Sequence, residues 1–285
     1  MTTRILRFKK VHYYCIPLVA FVVWWGMLIA MMACWGAQGK PMYDFMEGQH
    51  QNPVYISDIG ATNLNPLFIS CVAVEMIFFD GTLIADYLLR KQRKLQPYVS
   101  DKQPKIAIVS IISGIIAQLG ILMVSIFKTS THQTVHLSML GVFIGFAFVS
   151  CLCNILNTLI FGHFSERLTP NHDRVFFGKH RWSNIYIVSC LVKSVWTAIA
   201  GAFAIGFGAS KSDTPAAVFE WVLAFWYGIL LLIWSMELFP AAVKHYRIHH
   251  PEEYPEKFID NHNSPSPHDD SSSTLKEEES GEHPV

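Results

Sequence analysis

Ionisable and amide side chains recur inside long apolar runs of this chain, and these are the residues best placed to do chemistry. Glu75, Asp80 and Asp86 share one apolar segment, with Glu75, Phe79, Thr82 and Asp86 on a single helical face. Asn154 and Asn157 lie in another, Lys193 in a third, and Glu220 and Glu237 near the two ends of a fourth. Charged groups are costly in hydrocarbon, so they pair internally or line a polar cavity that admits a headgroup or a proton. Lys193 lies about 14 Å deep if its segment is a helix, and Glu75 is equally deep from the opposite side. This predicts a Lys193–Glu75 pair, with Asp80 as the second choice.

Other chemistries leave weaker traces. His132 and His136 are four apart and would share a helix face. With His50 and Asp58 they could form a hydrolase-type zinc site, but no HExxH pattern ties them together. No P-loop, GxSxG or dinucleotide fingerprint occurs, and no catalytic residue, metal or cofactor is expected. The six cysteines all fall in apolar segments and read as small core residues, not a disulfide framework. No basic, aromatic-interleaved patch suggests a nucleic-acid partner.

The elements that must hold these residues are membrane spans. The chain has 285 residues, 51% of them hydrophobic and only 15% charged, with a mean hydropathy of +0.29. That is too apolar for a soluble domain. Six stretches reach the roughly 20 residues needed to cross a bilayer, at about 15–35, 66–89, 105–127, 137–161, 184–208 and 217–240. The first is too long and too rich in Trp for a signal peptide. Basic residues cluster before the first span, in 90–105, in 162–183 and in the tail, 18 in all; only Lys40, Lys128 and Lys211 fall in the alternate loops. The positive-inside rule then puts both termini in the cytoplasm. The expected fold is an all-α bundle of six transmembrane helices over 15–241. It follows a cytoplasmic N-terminus, 1–14, and precedes a cytoplasmic tail, 242–285. That tail is mostly disordered by composition, with Ser264 and Ser266 before prolines as candidate phosphorylation sites. The basic loop residues Arg90, Lys91, Arg93 and Lys94 would meet anionic lipid. Gly141 and Gly145, the series Gly114, Ala117 and Gly120, and the series Ala200, Ala204 and Gly208 offer close helix contacts.

On this topology the nonapeptide "PVYISDIGA" (53–61) lies in the longest outer loop. Pro53, Ser57, Asp58 and Gly60 are turn-forming types, and Asn65–Pro66 reads as a cap and first position of the next helix. The segment is either a folded turn at a helix mouth or a recognition loop, with Tyr55 at headgroup level and Asp58 as its polar contact.

The segment also resembles a known family. Proline, aromatic, Ile-Ser, acid and glycine just before the second of six helices mark the Frag/DRAM/Sfk family, matched here by Pro53, Tyr55, Ile56, Ser57, Asp58 and Gly60. Residues 191–207, "LVKSVWTAIAGAFAIGF", and 216–241, "AAVFEWVLAFWYGILLLIWSMELFPA", are similar to its fungal Sfk-like branch. Ile59 stands where the family usually has Thr. The resemblance spans about residues 10–241. It implies a multi-pass protein of the plasma membrane, or of the Golgi, endoplasmic reticulum or vacuole/lysosome. It implies a non-enzymatic role in lipid homeostasis, with phosphoinositides or sterol and a phosphatidylinositol 4-kinase complex as partners. GPI-anchor lipid remodelling is the alternative it offers. A small-solute or proton transporter, using the buried charges, is the third reading.

Overall fold

The computed structural model describes residues 12–46, 51–168 and 185–249, with side chains up to Ala242. The N-terminal residues 1–11, residues 47–50 (including His50), 169–184 and the tail after 249 lie outside the described residues. The helical bundle is one compact unit ending at His245. The described chain is helical, with no strand among the described residues. The helices are α1 (Cys15–Ala37), α2 (Ile56–Gly60), α3 (Asn65–Lys91), α4 (Gln103–Ile126), α5 (Thr129–His163), α6 (Ile185–Ala209) and α7 (Asp213–His249). All but the short α2 contain a stretch long and apolar enough to cross a membrane. One end of the bundle carries residues 38–46 and 51–64, the motif end, and the other carries 92–102, the basic end.

The outward surface is that of a lipid-facing protein. Ile77, Ile205 and Met236 are more than 60% exposed, while Glu75, Gln103 and Gln118 are fully buried. In lipid every polar group must find its partner inside the protein, and the tryptophans show how this is done. Trp24 and Trp25 of α1 donate their indole N–H to the carbonyls of Ala224 and Phe225 in α7, at 2.7 and 3.1 Å. Trp196 of α6 and Trp226 of α7 donate to each other's backbone carbonyls, at 2.9 and 3.1 Å. A helix carbonyl already bonded along its own helix has a second lone pair, and these indoles use it. The result ties α7 to both α1 and α6. Gly228 makes room for Trp25, whose indole nitrogen would lie 2.2 Å from any Cβ there.

α4 and α5 meet most closely. A Cβ on Gly120 would reach the Phe143 backbone nitrogen at 3.0 Å, and Gly114 faces Leu83 and Ser150. Ser110 and Ser150 each donate to the other's backbone carbonyl, both at 2.9 Å. The Gly114–Ala117–Gly120 series is therefore a true contact seam. The Gly141/Gly145 pair is not, because a Cβ at either would meet nothing within 4 Å.

Two helix starts differ from expectation. α5 begins at Thr129, well before 137, and is broken at His132 (φ −138°, ψ 47°). Asn65 is not a cap; it is already inside α3, whose Leu64 cap has no side-chain bond. Its amide instead donates to the carbonyls of Gly60 and Ser125, both at 3.0 Å, clamping α2 and α4 together.

Candidate functional site

The nonapeptide is neither an open turn nor an exposed reader. After a cis Asn52–Pro53 peptide bond, residues Ile56–Gly60 form the short helix α2, with all five residues buried. The bundle holds this helix from every side. The Ile56 N–H donates to Glu220 of α7 at 2.7 Å, and Trp221 donates to the Val54 carbonyl at 2.9 Å. The Tyr55 hydroxyl reaches Asp213 at 3.5 Å, and the Asn52 N–H reaches Thr214 at 3.3 Å. Asp58 accepts from Gln51 at 3.2 Å and from Thr129 of α5 at 3.3 Å. The Asp58 of the recognition-loop reading therefore turns inward, away from any headgroup at the surface.

Gly60 is required by closeness, not by backbone angle. A Cβ there would lie 2.5 Å from the Phe68 ring. Ile59, the position that departs from the family pattern, is fully buried. Burial pushes the Asp58 carboxyl up to about 6, and Asp213 adds to the shift. Burial also carries the Tyr55 phenol up to about 12, helped by the carboxyls of Asp213, Glu220 and Asp58.

Beneath α2 lies an apolar cavity of about 150 Å³. Ile56, Ser57 and Phe68 close its motif end, together with Glu220 and His136. The bore continues between Trp24, Phe79, Phe143 and Trp196 to Tyr227 and Thr197. Ile144, Ala147 and the half-exposed Phe148 of α5 face Ala200, Gly201 and Ala204 of α6 across it. The last two helices are bonded lower down, where Lys193 meets Asn154 and Thr158. Towards the motif end the α6 residues that line the cavity opposite α5 are the small Ala200, Gly201 and Ala204. Ala200 and Ala204 of the α6 small-residue series thus line a cavity wall, while Gly208 lies outside that lining.

The buried polar residues form two separate clusters. Glu75 accepts from the Tyr227 hydroxyl at 2.7 Å and from Gln118 at 3.3 Å, and Gln118 also donates to Tyr227 at 2.8 Å. Lys193 belongs to the other cluster. Its ammonium donates to Glu237 at 2.6 Å and to Asn154 and Thr158 at 2.5 Å, and Ser189 also donates to Glu237. The expected Lys193–Glu75 pair is therefore wrong, and so is the Asp80 alternative. The error lies in the depths. α3 has 27 residues, so it runs about 40 Å. Glu75 is about 15 Å from one end and Lys193 about 12 Å from the other, at 1.5 Å per residue, which leaves a gap wider than a lysine can span. Lys193 reaches towards the basic end and finds Glu237. Asp80 is half-buried, with one carboxylate oxygen unpartnered.

Asn157 links α5 to α4; its amide, oriented as its surroundings require, donates to the Gln103 carbonyl at 3.2 Å and accepts from the Ala107 N–H at 3.3 Å. Of the basic residues placed at the lipid surface, Lys91, Arg93 and Lys94 are exposed, and Lys94 lies 5.9 Å from the Tyr13 ring centre. Arg90 corrects that expectation. It is 8% exposed, bonded to Asp86 at 2.9 Å, to the Gln96 carbonyl at 3.3 Å and stacked over Phe161 at 4.7 Å. Residue type alone could not separate it from its exposed neighbours.

The histidines do not converge. His132 is exposed and bonds Thr131, whereas His136 is buried with Nδ1 on the Phe127 carbonyl, since the break at His132 turns the two apart. No group of three potential metal ligands occurs among the described residues. Sequence reasoning missed the cavity itself, Gln118 and Tyr227. The only available signal was aromatic and small residues alternating on α6 and α7.

With this geometry in view, comparison with known proteins becomes informative. The Frag1/DRAM/Sfk1/Cwh43P N-terminal domain matches residues 12–241. The chain belongs to this family. It is 34% identical over 275 residues to Protein SFK1 of Saccharomyces cerevisiae, an alignment covering 79% of this chain and 78% of that protein. It is 27% identical over 242 residues to Protein sfk1 of Schizosaccharomyces pombe, covering 84% and 68%. No solved structure matches. This family member is a multi-pass membrane protein with fungal relatives, and the α2 segment that carries the family motif is the part that roofs the cavity.

Proposed function

We propose that this Sfk1-like protein organises membrane lipids without catalysing a reaction, and that it acts at the plasma membrane to support phosphatidylinositol 4-kinase signalling. The observation that carries the reading is the apolar, aromatic-walled cavity under α2, lined on the α6 side by the small Ala200, Gly201 and Ala204. A bore with apolar and aromatic walls inside a membrane-spanning bundle suits lipid hydrocarbon. The hydrogen bonds of the motif support this reading. Tyr55, Asp58 and Gly60 hold α2 as a roof, and its Ile56 and Ser57 face the cavity. At the other end, Lys91, Arg93 and Lys94 offer an anionic leaflet about 1 kcal/mol each when near the surface. That is consistent with phosphoinositides, or a kinase complex working on them, at the basic end. The orientation follows the positive-inside rule, with the basic end and both termini cytoplasmic.

Gly201 provides the test. It lines the cavity, and a Cβ there would meet nothing within 4 Å, so a larger side chain projects into open space. Gly201→Phe, expressed in cells lacking the gene, should leave protein level and membrane location unchanged. It should lower the plasma-membrane phosphatidylinositol 4-phosphate reporter signal to that of the deletion. Full restoration of that signal by Gly201→Phe would refute a role for the cavity.

A further inference from the structure

The hydrogen bonds of the Glu75 cluster leave two acceptors over. Glu75 and Gln118 are fully buried, and Tyr227 is 7% exposed. The Tyr227 hydroxyl donates to Glu75 Oε1 at 2.7 Å. The Gln118 amide nitrogen donates to the same Glu75 oxygen at 3.3 Å and to the Tyr227 oxygen at 2.8 Å. The one hydroxyl proton and both amide protons are then committed. Glu75 Oε2 and Gln118 Oε1 remain, both acceptors, and neither has a partner. Turning the Gln118 amide over does not help, because its oxygen would then oppose Glu75 Oε1. An ionised carboxylate with a bare oxygen is a costly group to hold inside hydrocarbon. No described cation is placed to answer it. α3 adds only another carboxyl, Asp80, and α4 has no ionisable side chain from Ile106 to Ile126. Trp24 of α1 and Phe143 of α5 pack on the Tyr227 ring, and α5 also brings Cys151 and, at the motif end of the cavity, His136. α6 brings Lys193, whose ammonium is held by Glu237, Asn154 and Thr158. The carboxyls of α7, Glu220 and Glu237, lie near its two ends.

We propose that Glu75 is a proton-binding site, carrying a proton on Oε2 that it donates to Gln118 Oε1. Acid and amide then face each other as a cyclic pair: the amide N–H bonds Glu75 Oε1, and the acid O–H bonds Gln118 Oε1. One proton satisfies both leftover acceptors and removes the charge. A hard metal cation suits the place less well, since such ions take about six oxygen ligands and only two are free here. The neutral pair joins α3 to α4, and Tyr227 adds α7. Tyr227 also lines the cavity beneath α2, so the proton keeps that wall of the cavity uncharged. The inference does not depend on what the cavity holds.

The test is infrared difference spectroscopy of the full-length protein in nanodiscs at neutral pH. The spectrum of the unmodified protein is compared with those of Glu75→Gln, Asp80→Asn and Gln118→Met. The expected result is a carbonyl stretch of a protonated carboxylic acid that disappears in Glu75→Gln and persists in Asp80→Asn. Gln118→Met takes the amide N–H away from the acid carbonyl, so the same band should move to higher wavenumber. That shift keeps the assignment decidable if Glu75→Gln does not fold. Loss of an ionised-carboxylate band in Glu75→Gln, in place of the acid band, would overturn the proposal. An acid band that vanishes in Asp80→Asn would give the proton to Asp80 and overturn it too. An acid band that Gln118→Met leaves unmoved would refute the acid–amide pair.

Discussion

Removing the charge of Glu237 should damage this protein more than removing Lys193 and Glu237 together. Lys193 is 2% exposed, and its ammonium lies 2.6 Å from Glu237. Its remaining partners, Asn154 and Thr158, are neutral acceptors at 2.5 Å. Glu237→Gln would leave an ammonium buried without a counter-charge. Breaking one side of such a pair costs about 3–5 kcal/mol, whereas replacing both partners is often close to neutral. At roughly 2–4 °C per kcal/mol for a domain of this size, the single variant should lose about 6–20 °C of apparent melting temperature. Lys193→Met combined with Glu237→Gln should recover most of it. The assay is the heat-induced loss of the monodisperse peak of full-length protein in detergent micelles, run as a double-mutant cycle. Glu75→Gln is the control. Glu75 lies beyond the reach of Lys193, so its effect should add to that of Lys193→Met within about 0.5 kcal/mol. If Glu75→Gln rescues Lys193→Met and Glu237→Gln does not, the two-cluster arrangement is wrong.

Other consequences follow from the motif end. The Asp58 carboxyl is pushed up to about 6 by burial, against the pull of its hydrogen bonds from Thr129, the backbone and Gln51, and Asp213 adds to the shift. The folded state therefore holds the proton more tightly than the unfolded state. Stability should fall as pH rises from about 4 to about 6, by up to roughly 3 kcal/mol, and level off above that window. Asp58→Asn should flatten that part of a melting-temperature-against-pH curve; an unchanged slope would mean that Asp58 does not titrate there. Gly60→Ala drives a Cβ to within 2.5 Å of the Phe68 ring. It should cost about 1–3 kcal/mol as overpacking, and Phe68→Leu in the same chain should restore part of the loss in the same melting assay. For topology, a membrane-impermeant thiol reagent on intact cells should label a cysteine placed at Lys40 and spare one at Gln92, both exposed positions. The reverse pattern would invert the orientation.

The all-helical, six-span architecture was legible because hydrocarbon imposes it: six runs of sufficient length leave few alternatives. The motif was legible as special, but its role was not. Asp58 and Ser57 read as turn residues because turns are where such types usually serve, and nothing in a linear sequence shows that Glu220, 164 positions away from Ile56, supplies the acceptor. Gly60 was singled out for backbone freedom, while the structure uses its missing side chain. Lys193 was recognised as needing a carboxylate. Choosing between Glu75 and Glu237 required the true helix lengths and offsets, and α3 and α7 both run past the limits of their apolar cores. The cavity left almost no trace, since its walls are the same Ala, Phe and Trp residues that fill any membrane bundle.

The central claim is that the space under the motif holds a membrane lipid. Native mass spectrometry of the full-length protein, purified from its own membranes, tests it most directly. The account predicts one phospholipid retained per chain as the detergent is stripped, and its loss in Gly201→Phe. Equal lipid retention by the unmodified protein and the Gly201→Phe variant, or none by either, would contradict it.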